Sequence, residues 1–138
     1  MSIVRNVLWV DCTAAAIAGA TVLVFSGWLS HLHLLPQALL VFIGAANLAY
    51  GAYSFFLARR AVRPIILINV LVFANAAWAV VCLVLAAKFW GEASLWGIAH
   101  LVGEALFVGG LAALEWSQRQ QLANPWLTNA GSHVDYSR

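Results

Sequence analysis

Charged residues are scarce in this chain. Aspartate, glutamate, lysine and arginine make up 9% of its 138 residues, whereas hydrophobic residues make up 64%. A typical soluble domain has about 25% charged and 45–50% apolar residues, so this apolar excess exceeds what one buried core absorbs. We therefore expect the solvent around the folded chain to be a lipid bilayer. The formal net charge is only +2, and no basic stripe is present, which argues against a nucleic-acid partner.

Cysteine and the common catalytic motifs are also scarce. The two cysteines, Cys12 and Cys82, form no C-x-x-C motif, which argues against a thiol–disulfide enzyme. We expect both to be free thiols, because the helices proposed below separate them in depth by roughly 15–20 Å. There is no phosphate-binding glycine loop, no H-E-x-x-H motif and no serine elbow. The sequence thus favours a non-catalytic protein without a cofactor.

Proline is rare and falls outside the apolar segments. Four such segments, at about 7–29, 36–58, 64–87 and 94–116, each have the roughly 20 residues that a membrane-spanning helix needs. Pro36 and Pro64 stand at the first turn of their segments, where proline is tolerated. Residues 1–119 are therefore predicted to form one all-α domain of four transmembrane helices, and residues 120–138 a polar cytoplasmic tail.

The segments are joined by short links, which predict an up-down-up-down bundle. In that topology one side of the membrane would carry most of the positive charge, and the opposite links carry only Lys88. The positive-inside rule then predicts that both termini are cytoplasmic, with the bacterial inner membrane as the expected location. The residues on the positive side are Arg5, Arg59, Arg60, Arg63 and Arg119.

Small residues recur at helical spacing in the first and last segments. Ala15 and Gly19 are four residues apart, as are Ala105, Gly109 and Ala113. Such spacing favours close helix packing in membranes. The first functional hypothesis is therefore a non-catalytic subunit or scaffold, with a second copy of the chain or another membrane subunit as its partner.

Acidic side chains are expected to mark any functional site. His100, Glu104 and Glu115 fall on one face of the last segment. A carboxyl near the bilayer centre costs roughly 3 kcal/mol on insertion scales, so Glu104 is expected to face protein or water. Glu115 is also spaced to pair with Arg119, four residues later.

Two asparagines and one aspartate add to the polar positions. Asn47 and Asn75 each lie in an Ala-Asn-x-Ala-aromatic pattern near the middle of a span, where amides commonly join helices. Asp11 is expected near an interface, in the first turns of its helix. The alternative functional hypothesis is a small oligomeric transporter or channel with a proton or ion path. Its candidate residues are Glu104, His100, Asn47, Asn75 and Asp11.

Two further hypotheses rest on histidine and arginine. His31 and His33 lie in the first link, and with His100 they are candidate metal ligands, although their spacing matches no specific metal motif. The arginines of the middle link could hold lipid phosphates in a lipid-modifying enzyme. The positive-inside rule alone also explains that cluster.

Overall fold

The computed structural model describes residues 3–123, and their side chains from residue 6 onward. Helices joined by short links make up residues 3–123, with no strand among them. Four of these helices are long and apolar enough to cross a membrane, which confirms the prediction of an all-α protein with four candidate spans. The helices are α1 (Ile3–Val24), α2 (Ser26–His33), α3 (Gln37–Ala58), α4 (Ile65–Lys88), α5 (Leu95–Ser117) and α6 (Arg119–Ala123).

The first predicted span, residues 7–29, is divided between two helices. α1 ends at Val24, and α2 begins two residues later at Ser26, with Phe25 between them outside the helical region. Adjacent serine and glycine are a common cause of a helix kink, and Ser26-Gly27 follows the break directly. Consequently His31 and His33 lie on α2 rather than in a loop. The other three spans begin and end within one residue of the predicted positions.

The four long helices form two closely packed pairs, α1 with α3 and α4 with α5, and contacts between the pairs are sparse. Small residues permit the first pairing. A Cβ atom added to Gly19 would lie 2.8 Å from the backbone oxygen of Gly44 and 2.9 Å from the backbone nitrogen of Leu48. The glycines of α1 and α3 therefore pack against the neighbouring helix of the same chain, where they let the two backbones approach closely.

Two apolar clusters lie toward opposite ends of the helices. The arginine-end cluster is next to the link that carries Arg59, Arg60 and Arg63, and the histidine-end cluster is next to α2. The arginine-end cluster comprises Leu8, Leu57, Ala58, Ile68, Leu71 and Leu122. The histidine-end cluster comprises Val22, Leu35, Leu40, Ile43, Ala86 and Leu101. Buried polar side chains lie between the two clusters.

The structure also bears on the predictions for the two cysteines and for the C-terminal tail. Cys12 and Cys82 are buried free thiols, as expected. Part of the predicted tail, residues 120–138, is structured, since α6 extends to Ala123 and buries Leu122 in the arginine-end cluster. Residues 124–138 lie outside the described part of the chain.

Candidate functional site

A cavity of about 500 Å³ lies between the two helix pairs. This volume is within the range of about 300–1,000 Å³ that is typical of small-molecule sites. Much of its wall is alanine, with Phe107 and Val108 from α5. The side chains with polar atoms that line it are Asp11, Asn47, Tyr50, Asn75, Trp78, His100 and Glu104.

Glu104 stands at the meeting point of three helices. Its Oε1 atom accepts hydrogen bonds from Asn47 Nδ2 of α3 and from Trp78 Nε1 of α4, each at 2.7 Å. Its Oε2 atom lies 3.3 Å from His100 Nε2, one turn earlier on α5. Two donors on one oxygen hold the carboxyl group in a fixed orientation, and the second oxygen is left to His100. The prediction that Glu104 faces protein rather than lipid agrees with this geometry.

Asp11 forms a second carboxyl site, and it is almost fully buried. Its Oδ2 atom accepts hydrogen bonds from Ser54 Oγ at 2.6 Å and from Tyr50 Oη at 2.7 Å. Both donors lie on α3, the packing partner of α1. Asp11 is therefore held by hydrogen bonds within its own helix pair.

Glu115 is the third buried carboxyl group, and its relative exposure is 0%. Asn75 Nδ2 donates to Glu115 Oε2 at 3.1 Å and to Tyr50 Oη at 2.5 Å. The expected pairing of Glu115 with Arg119 is not what forms, since the Arg119 guanidinium donates to the Trp116 carbonyl instead. Asn75 thus links Glu115 to Tyr50, and through Tyr50 to Asp11.

The two Ala-Asn-x-Ala-aromatic segments play similar parts in opposite pairs. Tyr50 of α3 donates to the carboxyl of its packing partner α1, and Trp78 of α4 donates to the carboxyl of its packing partner α5. Each asparagine reaches across instead, Asn47 to Glu104 and Asn75 to Tyr50. Each aromatic residue therefore donates a hydrogen bond within its own helix pair. Each asparagine donates a hydrogen bond to the other pair across the cavity.

Of the three histidines predicted as metal candidates, His100 lines the cavity, and His33 lies next to it. His33 is buried, and the centroid of its ring is 5.0 Å from that of His100, whereas His31 is exposed. Among residues 6–123, no group of three histidine, cysteine, aspartate or glutamate side chains is placed to hold a metal ion. The structure thus brings together two of the three metal candidates, His33 and His100, and leaves His31 apart.

The His33 imidazole should make stability depend on pH. Burial lowers the pKa of His33 below its ordinary value of 6.5, and the charge of His100 lowers it further. The unfolded chain then binds a proton at a higher pH than the folded chain, so folding stability is lost as the pH falls below about 6.5. We expect His33→Gln to flatten this loss. Chemical unfolding of the detergent-solubilised protein between pH 7.5 and 5 measures it.

The exposed His31 provides the matched control for this measurement. His31→Gln should leave the pH dependence as it is in the wild-type protein. Groups such as Glu104 and Asp11 contribute to all three curves, so the difference between variants isolates His33. Parallel curves for His33→Gln and the wild-type protein would show that His33 does not have a lowered pKa.

All five residues predicted for a proton or ion path line the same cavity. Sequence reasoning missed the residues that hold the carboxyls, which are Tyr50, Ser54 and Trp78. The repeated aromatic position of the Ala-Asn-x-Ala-aromatic pattern was the available signal for Tyr50 and Trp78. No pattern in the sequence distinguishes Ser54 of α3 as a hydrogen-bond donor to Asp11.

No protein-family model matches the chain, and neither a curated protein nor a solved structure is significantly similar to it.

Proposed function

We propose that this is a small membrane transporter or channel in which Glu104 and His100 form part of a proton path through the central cavity. The observation that carries the proposal is the convergence of Glu104, His100, Asn47, Asn75 and Asp11 on one cavity. A scaffold requires no cavity lined by carboxyl groups. Ionisable residues inside membranes are costly and commonly mark ion or proton pathways.

The geometry supplies a sequence of proton-binding groups along the bundle. His100 lies beside Glu104 toward the histidine end, and Asp11 lies toward the arginine end with Tyr50 as its donor. The cavity separates these two carboxyl sites, and a chain of water molecules in a space of this size would join them. Protons would then pass between Glu104 and Asp11 through water, with Asn47 and Tyr50 orienting the carboxyls.

The same proposal places the bundle in a bacterial inner membrane with both termini in the cytoplasm and an up-down-up-down order of spans. The exposed Arg59 and Arg60 support this orientation, because such residues are retained on the cytoplasmic side. Exposed tryptophans near both ends of the long helices are typical of membrane interfaces. They are Trp9, Trp28, Trp90, Trp96 and Trp116.

Proton uptake into liposomes tests the proposed path. Purified protein is reconstituted with a trapped pH-sensitive dye, and valinomycin with a potassium gradient makes the interior negative. The wild-type protein should acidify the interior faster than protein-free liposomes do. Glu104→Gln keeps the shape of the side chain but cannot bind and release a proton, so its rate should fall by about tenfold or more. Glu92→Gln is the matched control, because Glu92 is exposed and outside the cavity.

Two results would contradict the proposal. One is a wild-type rate equal to that of protein-free liposomes. The other is a rate for Glu104→Gln equal to that of Glu92→Gln, provided that equal amounts of each protein are reconstituted.

A membrane subunit or scaffold is the second candidate function. It is favoured by the uncovered glycines of α5: nothing lies within 4 Å of a Cβ atom added to Gly103 or Gly110. Such a surface suits a second copy of the chain or another membrane protein. Under this alternative, Glu104→Gln should assemble normally and conduct no fewer protons than the wild-type protein.

A further inference from the structure

The cavity is closed toward both ends of the bundle. At the arginine end, Leu8, Leu57, Ile68, Leu71 and Leu122 are completely buried against one another. Close packing of this kind leaves no space for an organic solute to pass. The histidine-end cluster closes the other direction with fully buried side chains from α3 and α5. A molecule larger than water must therefore reach the cavity from the side.

The two sides of the cavity between the pairs differ. Where α3 meets α4, Tyr53 donates to the Leu67 carbonyl, and Asn75 donates to Tyr50. The rings of Phe42 and Trp78 also lie on this side, with centroids 6.1 Å apart. Hydrogen bonds and aromatic contacts thus join α3 to α4 on this side.

The side between α1 and α5 is more open. No hydrogen bond joins these two helices within residues 6–123. The cavity is bordered here by Ala14 and Ala18 of α1 and by Ala99 and Gly103 of α5. Ala18, Ala99 and Gly103 are exposed, and a Cβ atom at Gly103 would meet nothing within 4 Å. In a membrane, this gap would face the hydrocarbon chains of the lipid.

The side chains that line the cavity determine which class of molecule it can bind. Asp11 and Glu104 line it, and the described lining contains no lysine or arginine. Its remaining wall is apolar and includes the aromatic rings of Tyr50, Trp78 and Phe107. Carboxylates attract a cation, aromatic faces bind cations with apolar substituents, and a lateral opening admits only molecules that dissolve in lipid.

We infer that the cavity binds a lipophilic organic cation, which enters sideways from the bilayer between α1 and α5. The inference rests on the proposed function in one respect: the cation and the proton would bind to the same carboxylate, Glu104. The cation would lie near Glu104 Oε2, the carboxyl oxygen that neither Asn47 nor Trp78 occupies, and would compete there with His100, whose Nε2 atom is 3.3 Å away. Binding of the cation and of a proton should therefore exclude each other.

Tetraphenylphosphonium is the probe for this site, and equilibrium dialysis against the protein in nanodiscs measures its binding. Glu104→Gln should weaken binding by about tenfold, the effect of losing one partly buried charge interaction. Glu92→Gln should bind as the wild-type protein does. Tetraphenylborate, which has nearly the same shape and the opposite charge, should bind no more than it does to empty nanodiscs. Equal binding of the two ions above that of empty nanodiscs would refute a cation site.

The lateral opening is tested by two substitutions on one helix. Gly103→Leu places a branched side chain at the edge of the cavity and should slow association of the probe several-fold. Gly110→Leu is the matched control, because Gly110 is equally uncovered but does not line the cavity. Equal association rates for the two variants would overturn the lateral route.

The two proposals can fail separately. Glu104-dependent proton uptake without binding of tetraphenylphosphonium would overturn the inference and leave the proposed function standing. Glu104-dependent binding of the probe without proton uptake would overturn the proposed function and leave a cation-binding cavity.

Discussion

Replacing Arg63 with glutamine is expected to lower the free energy of unfolding by about 3 kcal/mol, the cost of losing several hydrogen bonds from one buried charge. Arg63 is only 4% exposed. Its guanidinium donates to the backbone oxygens of Leu57, Ala58 and Leu122 at 2.7, 3.2 and 2.9 Å. These carbonyls belong to the last turn of α3 and to α6. A positive charge at the C-terminal end of a helix is also attracted to the negative end of the helix dipole.

Burial lowers the pKa of Arg63, but an arginine remains charged in proteins, so its three acceptors are needed to offset the loss of solvent. Arg60 provides the control. It is exposed, and its guanidinium lies 4.2 Å from the centroid of the Phe56 ring. Arg60→Gln should cost about 1 kcal/mol or less, as exposed cation–π contacts do.

Reversible unfolding in mixed detergent and SDS, followed by circular dichroism, compares the two variants. Equal stability of Arg63→Gln and Arg60→Gln would show that the buried hydrogen bonds of Arg63 contribute nothing. The structure also changes the interpretation of the arginine cluster. Arg63 supports the fold, so of the three arginines in the middle link Arg59 and Arg60 are the exposed ones.

Asn75→Leu is expected to lower the free energy of unfolding by about 2–3 kcal/mol, because it removes the hydrogen-bonding partner of a buried carboxyl group. Interhelical hydrogen bonds in membranes contribute about 0.6 kcal/mol on average, which is the effect that the sequence alone predicts. Asn75 differs because its partner, Glu115, is fully buried. The other carboxyl oxygen of Glu115, Oε1, has no hydrogen-bonding partner within the described residues. The substitution would also remove the donor to Tyr50.

A double-mutant cycle isolates this interaction. Asn75→Leu with Glu115→Leu should recover much of the loss, because replacing both members of a buried polar pair by apolar residues is often nearly neutral. Asn69→Leu is the control on the same helix, since Asn69 Oδ1 is buried without a hydrogen-bonding partner. The same SDS titration measures all four variants. Additive effects of the two substitutions would show that Asn75 and Glu115 are not coupled.

The spans could be predicted because their length and apolar composition depend only on local sequence. The position of Glu104 could also be predicted in part, because a carboxyl group in a span must avoid lipid. Helical periodicity places a residue on a face but does not say which helix covers that face. For that reason helical spacing pairs Glu115 with Arg119, whereas in the structure α4 covers Glu115 and supplies Asn75.

Two other differences have physical causes outside the sequence patterns used. The end of α1 at Val24 falls within an apolar run, so hydropathy alone extends the helix past it. Asp11 lies early in its helix, and that position does not reveal its hydrogen-bonding partners. Its burial depends on Ser54 and Tyr50, which are about 40 residues away in the sequence and are brought close by the packing of α1 on α3.

The division into two helix pairs also bears on how the protein is assembled as it leaves the ribosome. Each pair consists of neighbouring spans, so the first can close before the second has been synthesised. Asp11 finds Tyr50 and Ser54 within the first pair, and Glu104 finds Trp78 within the second. Each carboxyl group therefore has a hydrogen-bond donor within its own helix pair before the two pairs join. Asn47, Asn75 and Tyr53 gain their cross-pair partners late, so these hydrogen bonds form in the step that joins the two halves.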